Sequence, residues 1–196
     1  MSRWLFFPST GPSLVIHDAF GGTGYVEGRT PDTVNNGNTW ITGGSTAWSV
    51  SSGYAYMGTA TYRAMINPNA TTYTVEVETY TTATQAHGIW FRYDGDAANI
   101  RSTIFLNSTM TALTIFERVG SSNVSSTLVS GLSGLTNTAL YWSFEVDGTS
   151  ITYDLSTSSG SVASGSTTLQ NSTSNIGVFH NNTGTAIQTH DFKVYA

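Results

Sequence analysis

Tyr73-Thr74-Val75-Glu76-Val77-Glu78 alternates apolar with polar side chains at every step. A period of two sends successive side chains to opposite faces of an extended chain, so this stretch reads as a strand with one buried and one wet face. Similar β-rich runs lie at 13–17, 48–50, 54–57, 62–66, 88–93, 100–106, 112–119, 140–146, 151–155, 176–180 and 190–195. Turn clusters separate them, among them Gly21-Gly22, Asn36-Gly37, Gly43-Gly44, Ser51-Ser52-Gly53, Asp94-Gly95-Asp96 and Asp147-Gly148. No window of a dozen residues carries an amphipathic helical pattern. Many short strands at this spacing predict an all-β, two-sheet antiparallel sandwich. Between Val146 and Ile151, Asp147-Gly148 predicts a hairpin through a primed turn. Residues 156–166 are Ser/Gly-rich and read as an exposed loop or edge.

Composition narrows the function. The 196 residues suit one domain, which at this size buries enough surface to fold without a disulfide or metal. Cysteine is absent, which excludes disulfide frameworks, thiolate metal sites and cysteine nucleophiles. Charged residues make up 10%, against about 25% in ordinary soluble domains. Lys193 is the sole lysine, and Ser and Thr together exceed a quarter of the chain. With 39% hydrophobic residues such a chain folds, and its surface is rich in hydroxyls and amides. A net charge of −5 suits neither phosphate backbones nor anionic membranes, so no nucleic-acid or membrane partner is expected. The start of the chain is too short in apolar residues for a signal-peptide core, so no secretion signal is expected.

Loose motifs made of core and turn residues run along 13–196. The opening has Asp18-x-Phe20, a Gly-rich stretch, Trp40, Trp48-Ser49-Val50 and Gly53-Tyr54-Ala55. The middle has Gly88-Ile89-Trp90-Phe91-Arg92-Tyr93 and Leu113-Thr114-Ile115-Phe116-Glu117-Arg118. The end has Phe144-Glu145-Val146-Asp147-Gly148, Asn175-Ile176-Gly177-Val178 and Asp191-Phe192-Lys193-Val194. Together they resemble concanavalin A-like (laminin-G-like) jelly-roll domains. The resemblance implies a jelly-roll sandwich over 13–196, preceded by a short arm over 1–12. Such domains occur in glycan-binding modules, in glycanases and in tailed-phage virion proteins. The Ser/Thr/Asn/Gly-rich, lysine-poor composition looks most like the phage group.

Candidate chemistry is sparse. Glu76 and Glu78 share one strand face, a spacing that suits a carboxylate pair in glycoside hydrolysis. Glycanases of the resembled fold carry a longer E-x-D-x-x-E pattern, however, and here Tyr80 and Thr81 follow instead. A solvated outer face is the expectation. Asp94, Asp96 and Asn99 supply oxygens suited to calcium, but a tight turn explains them as well, so no metal and no cofactor is expected. His17, His87, His180 and His190 lack metal-type spacing, and no G-x-S-x-G elbow accompanies His190-Asp191. His17-Asp18-Ala19-Phe20 and His190-Asp191-Phe192 echo each other near the two ends, which suits first and last strands lying side by side.

Aromatic residues point to binding. Trp90 and Phe91 face opposite ways on a strand, as do Tyr141 and Trp142, so part of this set is core. Trp40 and Trp48 flank a Gly-rich loop and, with Tyr54 and Tyr56, read as surface candidates for stacking on sugar. Trp4, Leu5, Phe6 and Phe7 precede the first strand and are cut off from it by Pro8, Gly11 and Pro12. Four such side chains gain about 1.5–3 kcal/mol each on burial, so the arm reads as an anchor that docks on a neighbouring subunit. The expectation is a non-enzymatic structural protein on the surface of a phage particle: capsid decoration or cement, or a tail or fibre component. Its partners would be other virion proteins, copies of itself and a host-surface glycan. A free-standing carbohydrate-binding module is the alternative, and a glycoside hydrolase comes third.

Overall fold

A computed structural model describes residues 12–35, 37–42, 47–58, 63–93, 100–170 and 175–196. The strands in chain order begin with β1 (Leu14–Asp18), β2 (Thr23–Tyr25), β3 (Thr33–Val34), β4 (Trp48–Ser51), β5 (Ala55–Met57), β6 (Arg63–Ile66), β7 (Thr72–Thr81) and β8 (His87–Tyr93). They continue with β9 (Ile100–Leu106), β10 (Ala112–Val119), β11 (Ser122–Ser130), β12 (Thr138–Asp147), β13 (Ser150–Thr157), β14 (Gly160–Thr168), β15 (Ile176–His180) and β16 (Ile187–Tyr195). No helix occurs among the described residues. The Trp4–Phe7 stretch and the Asp94, Asp96 and Asn99 group lie outside them.

Two antiparallel sheets form. One has ten strands in the order β14-β13-β12-β7-β16-β5-β4-β2, with β1 against β16 and β3 against β1. The other has six, ordered β11-β10-β9-β8-β15-β6. The alternation that opens the sequence argument is the burial pattern of β7: Tyr73, Val75 and Val77 face the core while Glu76 and Glu78 face out. First and last strands do lie side by side. His17 stands opposite Lys193 and Asp18 opposite Phe192.

One core fills the space between the sheets. Trp40, Trp48, Trp142, Phe20, Phe91, Phe144 and Phe192 are its largest wholly buried side chains, and each large apolar residue contributes about 1.5–3 kcal/mol on burial. The β12–β13 hairpin forms as expected, but Asp147 pairs with Ser150 and the loop is Gly148-Thr149. Gly148 has φ +57°, so the turn is the primed type with glycine first rather than an Asp-Gly pair.

The Asp18-x-Phe20…Trp40 motif is an internal fastening. Asp18 is wholly buried. Its Oδ2 accepts from Trp40 Nε1 at 2.9 Å and from Arg29 Nε at 2.9 Å. Its Oδ1 accepts from the Phe20 amide at 2.8 Å. A buried charge is tolerated only when it is paired and hydrogen-bonded, and here both oxygens are occupied. Trp40 then packs edge-on against Phe192 at 4.9 Å, which ties the loop before β4 to the last strand.

Candidate functional site

Trp40 and Trp48 are wholly buried, so the expectation that they stack on sugar is corrected. Flanking a Gly-rich loop does not expose a ring that the core has room to take in. Trp40 is drawn in by Asp18, and Trp48 lies 4.4 Å from the His180 ring. Tyr54 and Tyr56 do sit together near the surface, half-buried, with ring centroids 5.9 Å apart. His190 lies 5.6 Å from Tyr54.

The outer face of the ten-stranded sheet is acidic. Glu76 stands opposite Lys193 and Glu78 opposite Asp191. Asp191 pairs with His17 Nε2 at 2.9 Å and with Lys193. The Tyr195 hydroxyl donates to Glu76 Oε2 at 3.3 Å. Burial first, and then the nearby Glu76 charge, push the Tyr195 phenol up to about 12. His87 and His180 are buried, and no group of three or more His, Asp or Glu able to hold a metal occurs among the described residues.

The outer face of the six-stranded sheet is of another kind, and the register assembles it. In one row across the strands stand Arg63, Phe179, Gly88, Phe105 and Thr114. In the next stand Met65, Gly177, Trp90, Thr103 and Phe116. In the third, Arg101 is opposite Arg118. Each of the first two rows carries a glycine or a small residue between large ones, and this permits the rings to meet. Phe105 and Phe179 come from strands on either side of β8, yet their centroids are 5.6 Å apart, above Gly88. Trp90 meets Phe179 edge-on at 5.7 Å.

Glycine is required at both crossings. A Cβ on Gly88 would lie 2.2 Å from the Ile104 carbonyl oxygen, and one on Gly177 would lie 1.9 Å from that of Ala64. The rings and the sheet floor enclose a cleft of about 230 Å³. Its walls are Trp90, Phe105, Phe116 and Phe179, with Arg101, Thr103 and Asn181 supplying polar atoms. The Arg101 guanidinium carbon lies 5.1 Å from the Phe116 ring centroid and 5.9 Å from that of Trp90, within cation–π range of both.

Sequence reasoning singled out Trp90 only as one aromatic among many and passed over Phe105, Phe116 and Phe179. A signal was present. Ile89-Trp90-Phe91, Ile104-Phe105-Leu106, Ile115-Phe116 and Val178-Phe179 are apolar at both parities, which means a strand with grease on both faces rather than one. Which of these side chains meet is set by register alone.

No family model matches the chain, and no curated protein matches it. Solved structures do. The glycoside hydrolase family 43 protein BlXynB of Bacillus licheniformis superposes with a TM-score of 0.64 at 12% identity, over 99% of this chain and 40% of that one. This chain thus spans well under half the length of that protein. SCLam, a non-specific endo-β-1,3(4)-glucanase of family 16, gives 0.59 at 12% identity over 98% and 93%. The exoplasmic/lumenal domain of VIP36 gives 0.54 at 10% identity over 88% of each chain. At such identities the likeness is one of fold. The fold is the concanavalin A-like jelly-roll sandwich.

Proposed function

We propose that this chain is a non-catalytic glycan-binding domain that takes sugar rings on the aromatic face of its six-stranded sheet. The cleft between Trp90, Phe105, Phe116 and Phe179 carries this reading. Sugars present apolar ring faces that pack on aromatic side chains and hydroxyls that need hydrogen-bond partners. Binding pockets accordingly combine apolar walls with a few placed polar groups. Arg101, Thr103 and Asn181 are those groups here. Contiguous aromatic surface on a wet sheet face also calls for an occupant.

The acidic face is the competing site. Glu76 and Glu78 lie together on it. Asp191 is held by Lys193 and by His17, Glu76 has a phenol, and Thr81 stands where the third acid of the pattern would fall. These features favour a solvated structural face over catalysis. The test is a glycan array probed with the full chain, with Phe179→Ala and with the double variant Glu76→Gln, Glu78→Gln. Binding lost in the first and kept in the second supports the reading. Oligosaccharide cleavage that disappears in the double variant would overturn its non-catalytic part.

The setting we propose for this binding is the surface of a phage particle, as capsid decoration or cement protein, or as a tail or fibre component. The hydroxyl-rich, lysine-poor composition supports it. A surface of that kind is held in solution by hydration rather than charge and is little affected by salt. Trp4, Leu5, Phe6 and Phe7 would anchor the domain on other virion proteins or on copies of itself. Deleting residues 1–11 should leave a folded monomer that no longer assembles. A full-length chain that remains monomeric and binds no particle protein counts against this setting.

A further inference from the structure

We infer that the flank of the sandwich bounded by β11 and β14 is an interface with a second copy of this chain, the two joined edge to edge across a two-fold axis normal to the sheets. This interface is independent of the glycan-binding reading and lies on another surface.

Contacts between the sheets place the flank. Phe144 of β12 meets Phe91 of β8 at 4.9 Å, and Trp48 of β4 meets His180 of β15 at 4.4 Å. The Gln170 amide, two residues past β14, donates to Glu117 of β10 at 2.9 Å. The two sheets therefore run in the same sense, and β14 and β11 end them on the same side. Each of these strands is nine residues long and has a neighbour strand on one side only. The opposite flank is finished differently. Its outer strands β2, β3 and β6 have three, two and four residues, and Ile41 bridges to Met65 of β6.

A bare strand edge presents a row of amides and carbonyls that templates another strand, and proteins blunt it with charges, prolines, bulges or short length. Neither β11 nor β14 holds a charged residue or a proline. Each pairing has one register shift, and it lies toward one end. Residues 122–127 and 163–168 thus stay in unbroken register with β10 and β13. Residues 122–127 are exposed throughout, and they include Val124, an apolar side chain left 47% exposed.

The two edges together select the occupant. A single extended peptide completes one sheet, whereas this flank takes two strands, one in each of two sheets packed about 10 Å apart. A second copy supplies both at once. The two-fold axis sets β11 against its own equivalent and β14 likewise, each pair antiparallel. With no charge on either strand, this self-pairing meets no like-charge opposition, and it covers Val124. Neither strand carries an aromatic or arginine anchor, so the contact is weak on its own. It forms where copies are already held close, as arm-anchored neighbours would be. Both aromatic clefts then face the same way.

The test is cross-linking of the full chain, which has no cysteine of its own. Asn123→Cys, Ser125→Cys and Thr127→Cys on β11 are compared with Thr23→Cys, an exposed position on β2 of the opposite flank. Directly opposite residues of an antiparallel pair are about 4.5–5.5 Å apart, within disulfide reach, and those near the axis meet their own equivalents. At least one β11 variant should form a disulfide-linked dimer about tenfold or more faster than Thr23→Cys, through the raised local concentration of the thiols. Adding Ser166→Lys, at an exposed position on β14, should reduce that advantage to less than about threefold by setting like charges across the second strand pair. Equal rates on the two flanks would overturn the inference. An advantage that Ser166→Lys leaves intact would overturn it too, since β14 would then take no part. The comparison among the cysteine variants stands even where the lysine variant fails to fold.

Discussion

His87 and His180 are register partners on β8 and β15, and both are wholly buried. His87 Nδ1 donates to the Gln85 carbonyl at 2.9 Å, and His180 Nε2 lies 3.1 Å from Thr189 Oγ1. The remaining ring nitrogens, His87 Nε2 and His180 Nδ1, are buried without a hydrogen-bond partner. Burial lowers the His87 imidazole to about 4. Burial, and then repulsion from His87, hold His180 well below its ordinary value.

The native state therefore keeps both rings neutral, while the unfolded chain protonates them near 6.5. Between about 4 and 6.5 the unfolded state binds more protons, so stability is full above that window and falls as pH drops through it. For His87 alone the loss amounts to about 3 kcal/mol by pH 4. In a domain of this size that corresponds to a fall in melting temperature of roughly 10 °C. A melting temperature that stays level between pH 7 and pH 4.5 would contradict this.

Gly88→Ala and Gly177→Ala should each destabilise the fold by at least about 2 kcal/mol, because the new methyl meets a neighbouring strand's backbone and not a movable side chain. Gly21→Ala, with open space around the added atom, is the control and should change little. Urea denaturation of the three variants decides it, and equal midpoints would refute the close approach.

Removing the Asp18 carboxylate strands the Arg29 guanidinium and the Trp40 indole together. Asp18→Ala should cost about 3–5 kcal/mol, as breaking a buried pair from one side does. Trp40→Phe keeps most of the apolar volume and should cost less, about 1–3 kcal/mol for an unmet acceptor. If both variants unfold at the wild-type urea concentration, this fastening does not hold the loop to the last strand.

Phe179 touches the rings of both Trp90 and Phe105 and is half-buried on the wet side of β15. Phe179→Ala should weaken binding of any array-positive sugar about tenfold, ~1.4 kcal/mol, with a smaller effect on unfolding. Titration with that sugar measures it. Unchanged affinity would put the sugar on another face, with Tyr54 and Tyr56 the next place to look.

The strands that carry the core were legible, because a residue buried on one side of a sheet imposes the period of two. The β12–β13 hairpin and the pairing of the two ends were legible too. The strand over Ser122–Ser130 was not foreseen, and Gly160–Thr168 was read only as a loop or edge. Both sit at sheet edges with most side chains in solvent, so no alternation marks them. Trp40 was misplaced because its partner is 22 residues away in sequence. The aromatic cleft draws one ring from each of β8, β9, β10 and β15. No linear pattern contains a four-strand register. Within that limit, apolar residues at both parities were the readable trace of it.

The position of β16 has a bearing on biosynthesis. That strand joins β7 on one side to β1 and β5 on the other, so residues 187–195 are the keystone of the larger sheet. A ribosome releases them after every other described strand. Until then the earlier strands exist as two unjoined half-sheets with bare edges, the species most exposed to misassembly. Closure of the larger sheet thus waits until residues 187–195 have emerged. A nascent chain with residues 187–195 still inside the ribosome should be captured by chaperones, and one in which Tyr195 has emerged should escape them.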